Sequence, residues 1–289
     1  MKVILLGTAA GGGFPQWNCA CAQCTSTAPP RTQDSVAFSA DGRTWHLLNA
    51  SPDIRAQILA TPALRAGPGP RETPLRSILL TDAELDHTLG LLMLREAADL
   101  TVHAPAAALH ALTDHFPARP IIGGYHDWTW LPTTETTLDG LRITSLPISD
   151  KQPKYARGSA HPGPWVVAYR IHDPSTGGIL VYAPCLRTWP PGFDAFTEGA
   201  TLVLLDGTFH SGTEFTHATE NANPAAQHAM GHLPITTTLA TITHRPGGTR
   251  WAYTHLNNTN PVVAPTSNEH ALVLDAGAEL PPDGTEFTL

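Results

Sequence analysis

The stretch "TDAELDHTLGL", from Thr81 to Leu91, sets Asp82, Glu84 and Asp86 at alternate positions and closes the run with His87. Carboxylates that close together repel, so they are tolerated only around a cation or in open water. Two further polar groups end apolar runs far along the chain: Asp206 closes "LVLLD" and His255 closes "WAYTH". Imidazoles and carboxylates converging from separate segments are the donors of a mononuclear metal centre. Asp86, His87, Asp206 and His255 are therefore the candidate ligands. Asp86 and His87 stand where a strand gives way to a helix, a junction that can aim adjacent side chains at one point. Simpler roles stay open for each residue alone. Asp82 and Glu84 can be a solvated strand edge, Asp86 the cap of a helix starting at Thr88, and the others loop hydrogen-bonders.

A second cluster is made of thiols. Cys19, Cys21 and Cys24 form a CxCxxC run, and the fourth cysteine, Cys185, is far away. A secreted scaffold spreads its cysteines and pairs them, whereas thiolates this close readily share a tetrahedral zinc ion. A zinc-clip loop is expected at residues 17–25, with three unrelated buried thiols as the alternative. Gly11, Gly12 and Gly13 follow the first apolar run without any phosphate-binding pattern, so they read as a tight turn that lets backbone approach the metal loops. Lys151, Lys154, Arg157 and His161 make a local basic patch in an acidic chain. A carboxylate-bearing substrate can dock there, with Lys154, Arg157 and His161 as its candidate contacts. An ordinary solvated loop accounts for the patch equally well.

The elements that must place these residues follow from periodicity. "MKVILLGTA", "LRSILLTD", "LTVHAP", "GGILVYAP", "ATLVLLDGT" and "TRWAYTH" read as buried strands. "SVAFSADGRTWHLLNAS" reads as a hairpin about Asp41-Gly42, and "LDGLRITSLPIS" and "WVVAYRIHD" as strands of a second sheet. "DIRAQILATPAL", "TLGLLMLREAADL", "AAALHALTDHF" and "NPAAQHAMGH" have helical character. Hairpins followed by alternating strands and helices, given twice, suit an α/β fold with an αββα sandwich: two mixed sheets face to face, helices outside. One domain spanning residues 1–289 is expected. The 289 residues are 42% hydrophobic and 15% charged, which allows a large core, and the net charge of −8 argues against a nucleic-acid partner. No run is apolar enough to span a membrane, and the glycine-rich start is too short for a signal peptide, so a cytoplasmic location is expected.

Several stretches carry a resemblance. "TDAELDH" resembles the HxHxDH motif of the metallo-β-lactamase superfamily, with Asp82 and Glu84 at the two leading histidines and the terminal Asp86-His87 pair kept. "GTAAGGGFPQWNCACAQC", "NASPDIRAQI", "DAELDHTLGLLMLRE", "YAP", "LLDGT", "MGHL" and "HLNNTNP" are similar, in order and over nearly the whole chain, to the coenzyme PQQ biosynthesis protein B (PqqB) family. The resemblance implies the metallo-β-lactamase fold. It also implies that the usual two-zinc hydrolase site is reduced. The leading histidines would hold the first zinc, and carboxylates there weaken or abolish that site. Asp86, His87 and His255 would remain, the ligand set of non-haem Fe(II) oxygenases.

The implied activity is an Fe(II)- and O2-dependent hydroxylation of a tyrosine or similar amino-acid or peptide unit, in PQQ or natural-product biosynthesis. A reductant would be required. Asp82 and Glu84 would line the vacated half-site and hold a substrate amino group or take up a proton. Asp206, which bridges two metals in the superfamily, would be a ligand or would orient a histidine. His232, in "MGHL", would act as general acid or base, bind substrate, or make a structural hydrogen bond. Relatives close the zinc clip with a histidine three residues after the active-site histidine. Here that position is Asn258, so its side-chain oxygen, His270 or another side chain is expected as the fourth ligand. The basic patch departs from the family, and Cys185 stands where a glycine is expected after "YAP". A zinc-dependent hydrolase of the phosphodiesterase type and a non-catalytic small-molecule carrier are the competing functions. Neither nucleic acid nor membrane is expected as a partner, and a homodimer is the oligomer to test for.

Overall fold

The computed structural model describes residues 1–133, 135–218, 224–244 and 247–289. Among the described residues, thirteen strands form two sheets. The first contains β1 (Lys2–Gly7), β2 (Ser35–Ser39), β3 (Trp45–Leu48), β4 (Leu75–Leu79), β5 (Thr101–Ala104) and β6 (Thr129–Pro132). The second contains β7 (Thr136–Leu138), β8 (Leu141–Ser149), β9 (Val166–His172), β10 (Ile179–Ala183), β11 (Leu202–Asp206) and β12 (Arg250–Thr254). The last strand, β13 (Glu286–Thr288), returns to the edge of the first sheet beside β1.

The first sheet runs in the order β13-β1-β2-β3-β4-β5-β6 and the second in the order β12-β11-β10-β9-β8-β7. Both are mixed. β3 to β6 are parallel and so are β10 to β12, while the remaining pairs are antiparallel. The sandwich expected from the sequence is therefore the observed one.

Strand alternation explains the two cores. Successive side chains of a strand point to opposite faces, so a run that is apolar at every position buries both. In β1, Val3 and Leu5 enter the layer between the sheets, and Ile4 and Leu6 enter the layer under the helices. In β11, Leu202 and Leu204 face the other sheet, while Val203 and Leu205 face the helices. Truncating such a residue, Leu5→Ala for example, costs about 2–5 kcal/mol.

One expected helix is shorter than its pattern. "TLGLLMLREAADL" forms a helix only over Gly90–Met93, after a separate single turn, Leu85–Thr88, that ends at its first residue. The interruption lies where Gly90 donates its N–H to the Ala50 carbonyl at 2.9 Å. A Cβ at Gly90 would come within 2.3 Å of the Ser51 carbonyl oxygen, so only glycine fits this approach. The short helix in "NPAAQHAMGH" is Pro224–Ala229, and Asn223 lies outside the described residues. The loops after β1, β4, β10, β11 and β12 gather at one end of the sandwich and carry the polar residues singled out above.

Candidate metal centre

Asp86, His87 and His255 meet as the spacing suggested. The Nε2 atom of His255 is 3.2 Å from Asp86 Oδ2, and that of His87 is 3.7 Å from the same oxygen. Two donors about 2.1 Å from one ion and roughly at right angles lie about 3 Å apart, so these spacings suit a shared metal. A buried nitrogen must be hydrogen-bonded or must bind something else. His87 is 1% exposed, and its Nε2 has no hydrogen-bond partner among the described residues. A metal ion satisfies that orphan, so the residues present fit one.

Each imidazole is aimed by a carboxylate behind it. His87 Nδ1 lies 2.8 and 2.9 Å from the two oxygens of Asp82. Asp82 also accepts from Thr81 Oγ1 at 2.8 Å and from the Glu84 N–H at 2.8 Å, which fixes the turn between strand and helix. Asp82 thus stands behind His87, not in the vacated half-site where the sequence reading put it, and it is absent from the cavity wall. Its effect on charge is clear. Burial opposes an imidazolium, but the Asp82 and Asp86 carboxylates overcome it and raise His87 to about 10. Burial likewise opposes ionising Asp82 and Asp86, and His87 still holds both below the usual carboxylate range.

His255 is aimed through a hydroxyl. Thr208 Oγ1 is 2.7 Å from Asp206 Oδ1 and 2.8 Å from His255 Nδ1. Its one proton goes to the carboxylate, so it accepts from His255 Nδ1–H and leaves Nε2 free for a metal; this tautomer follows from the network. His255 is held in the left-handed region at φ 57°, which costs a non-glycine residue on the order of 1 kcal/mol. Neighbouring hydrogen bonds impose it: Leu256 N–H to Thr8 and Ala10 N–H to Leu256, both 2.8 Å.

Of the two roles expected of Asp206, metal ligand or partner orienting a histidine, its hydrogen bonds fit the second. Its oxygens accept from Leu186 N–H (2.6 Å), His232 Nδ1 (2.8 Å), Thr208 N–H (3.0 Å) and Thr208 Oγ1 (2.7 Å). Four donors occupy its lone pairs, so it anchors His232 and Thr208 rather than offering an oxygen to a metal. His232 thereby presents its ring to the cavity, stacked against His255 at 5.3 Å between centroids.

The cation that the acidic run requires is Lys151. Its Nζ is 2.8 Å from Glu84 Oε1, and both residues line the cavity. Glu84 therefore already holds an ammonium, the group expected of a substrate. Lys154 and Arg157 line the same cavity, of about 660 Å³, with Phe209, Phe215 and Met230 as apolar wall. His161 does not line it. Its ring stacks on His110 at 4.9 Å, and its Nδ1 meets the Pro162 carbonyl at 2.8 Å. A Cβ on Gly11 would sit 3.1 Å from Asp86 Oδ2, so the glycine turn does bring bare backbone against the metal loop.

The clip thiols of Cys19, Cys21 and Cys24 lie within 4.8 Å of one another. Asn258 closes the group from across the chain. Its carbonyl oxygen is 3.7 Å from Cys21 Sγ and 3.9 Å from Cys24 Sγ, and its side-chain amide is 3.3 Å from Cys24 Sγ. His270 is turned away, with Nδ1 on the Val262 carbonyl at 2.8 Å.

Some supporting residues escaped the sequence reading. Asp34 is buried and hydrogen-bonded to Tyr182 Oη and, at 2.5 Å, to Thr254 Oγ1. Tyr182 accepts from Asn49, whose Oδ1 accepts the Thr81 N–H at 2.9 Å, so the network ends against the Asp82–His87 pair. Asn49 is in the left-handed region at φ 60° within the quoted "NAS", which was the available signal. Asp34 follows no such pattern.

The comparisons agree with this architecture. A family profile described as a beta-lactamase superfamily domain matches residues 44–256. Coenzyme PQQ synthesis protein B of Cupriavidus necator is 38% identical, with 100% of this chain and 99% of that protein covered. The Azotobacter vinelandii protein of that name is 37% identical over the full length of both. The crystal structure of Zn(2+)-bound PqqB from Methylobacterium extorquens superposes with a TM-score of 0.90 at 33% identity, covering 100% of each chain. A diphosphatase of the PhnP family, 20% identical with a TM-score of 0.68 over 100% of this chain and 97% of that one, shares the fold. With the fold, the reduced HxHxDH run and full-length similarity in agreement, this chain belongs to the coenzyme PQQ synthesis protein B family of the β-lactamase superfamily.

Proposed function

We propose that the protein is a mononuclear Fe(II)- and O2-dependent hydroxylase of PQQ or related natural-product biosynthesis, acting on a tyrosine or similar amino-acid or peptide unit. One observation carries this reading. Two imidazoles and one carboxylate, from His87, His255 and Asp86, lie close together, while Glu84, at one of the two leading positions of the HxHxDH-like run, is held in an ion pair with Lys151. A ferrous ion on that triad supplies oxygen activation and leaves positions for oxygen and substrate.

The chain's own residues do the rest. Lys154 and Arg157 attract substrate carboxylates, and Phe209, Phe215 and Met230 give an aromatic ring an apolar wall. His232, oriented by Asp206, is placed to hold or pass a proton at the cavity surface. Asp82 and the Asp206–Thr208 relay keep the two imidazoles aimed without motion. The structural zinc belongs to Cys19, Cys21, Cys24 and Asn258.

The test is to purify the protein without oxygen, quantify iron and zinc, and supply a Glu-Tyr dipeptide with a reductant and oxygen. Substrate-dependent oxygen uptake with a hydroxylated product is expected. Phosphodiester hydrolysis by the zinc form, with no oxygen uptake, would replace this reading with the hydrolase. Neither activity would leave the carrier.

A further inference from the structure

Cys185 is the side chain at the centre that the proposed chemistry leaves unused. It follows β10 directly, in "YAPC", and lines the cavity. Its Sγ, one ring nitrogen of His87 and one of His255 all lie within 4.8 Å of one another. Donors on opposite sides of one ion are separated by the sum of two bond lengths, about 4.4 Å for a sulfur at 2.3 Å and a nitrogen at 2.1 Å. The 4.8 Å limit exceeds that span by about 0.4 Å, so the three atoms are neighbours that a small side-chain movement brings onto one ion. A second observation points the same way. The buried Nε2 of His87, 1% exposed as a residue, has no hydrogen-bond partner among the described residues. The thiol shares a cluster with the residue that carries this orphan.

We propose that Cys185 is a fourth protein ligand of the ion held by Asp86, His87 and His255, adding one thiolate to two imidazoles and one carboxylate. The proposal rests on the metal-centre reading above. On binding, the S–H bond breaks, its proton leaves to solvent, and the sulfur lone pair is given to the ion; no oxidant or reductant is involved.

The fourth donor changes what each metal can do. Four protein ligands complete a tetrahedral zinc shell, so zinc would sit in a closed site. Iron accommodates six, so two positions remain for oxygen and substrate where the bare triad leaves three. The thiolate also favours softer ions over magnesium or manganese. By this route the chain acquires a selectivity that the triad alone lacks.

Cadmium NMR tests this, because the shift of a spin-half cadmium nucleus reports how many sulfurs bind it. Protein reconstituted with two equivalents should give two resonances. One comes from the clip, the other from the centre, and His255→Ala, which removes only the latter, assigns them. Cys185→Ala should move the centre's resonance toward the range for oxygen and nitrogen ligands and leave the clip's in place. It should also weaken cadmium at the centre by on the order of a hundredfold in chelator competition. If Cys185→Ala leaves the centre's resonance and affinity unchanged, the thiol is not a ligand, although the three-residue centre survives. If wild type shows the clip resonance alone, the centre itself fails, and the assignment of Cys185 goes with it.

Discussion

The two metal-binding regions differ in what holds them in shape. At the centre every donor is backed by buried structure: Asp82 behind His87, Thr208 and Asp206 behind His255, bare backbone of Gly11 against Asp86. The ligand side chains are buried or nearly so, and a left-handed backbone at His255 is imposed by the strands around it. At the clip, three half-buried thiols on an irregular loop face Asn258 with weak contacts of 3.3–3.9 Å. Burial pushes the Cys21 thiol up to about 11, with its two thiol neighbours adding to the effect, while at Cys19 burial is outweighed by hydrogen bonds from Cys21, Cys24 and Asn258, which lower its thiol. The centre's donors are backed by buried hydrogen bonds, whereas the clip's thiols rest on a partly exposed loop with longer contacts.

Substitutions can break this comparison. His255→Ala has the largest expected effect: affinity at the centre falls by more than about a hundredfold, while clip zinc and melting midpoint stay near wild type. Loss of clip zinc in that variant, read by elemental analysis, would show that the regions are not separable. Cys21→Ser should do the reverse. Zinc content drops by the clip's share, and stability falls by on the order of 2–4 kcal/mol, the size of a cross-link across a long loop, hence roughly 3–7 °C in calorimetry. An unchanged midpoint would mean the loop is organised without its ion. Asp82→Asn keeps the shape but removes the charge behind His87, and should weaken metal at the centre by about 10–100-fold with circular dichroism unaltered. Unaltered affinity would deny the anchoring role.

The smallest effect sharpens the comparison through pH. Glu214 lies between the two regions, accepting the His210 N–H at 2.5 Å and Thr259 Oγ1 at 3.2 Å. Burial pushes its carboxyl from the ordinary 4.5 up to about 7, against those hydrogen bonds. A carboxyl raised on folding stabilises the fold while it keeps its proton. The contribution is therefore whole below about 4.5 and is lost as pH climbs through about 7, with up to roughly 3 kcal/mol at stake. Glu214→Gln should flatten stability across that window relative to wild type, measured as melting midpoint against pH. Parallel curves for the two proteins would reject the shift.

Much of the centre was legible. Asp86, His87 and His255 each follow a run apolar enough to be a buried strand, and polar residues at such ends emerge together in a sandwich. The roles behind them were harder to see. Asp82 reads as a neighbour of Glu84, yet the turn curls it onto His87, five residues on. Asp206 occupies a ligand's place in the pattern but has its lone pairs filled by groups that include Leu186 and His232. His161 looked like part of a basic patch, and its loop turns it away from the cavity.

By itself the sequence determined the strands and their apolar faces, the sandwich they build and the thiol cluster, because alternation, composition and short spacing are local properties that any fold must respect; the choice of Asp86, His87 and His255 as metal donors came from the family resemblance. The tertiary structure alone decided that Lys151 meets Glu84, that Thr208 relays Asp206 to His255, and that Cys185 reaches the two imidazoles. Apart from the short step between Asp206 and Thr208, those meetings join residues tens of positions apart. Their distances are set by how two sheets pack and where loops end, which no local pattern encodes.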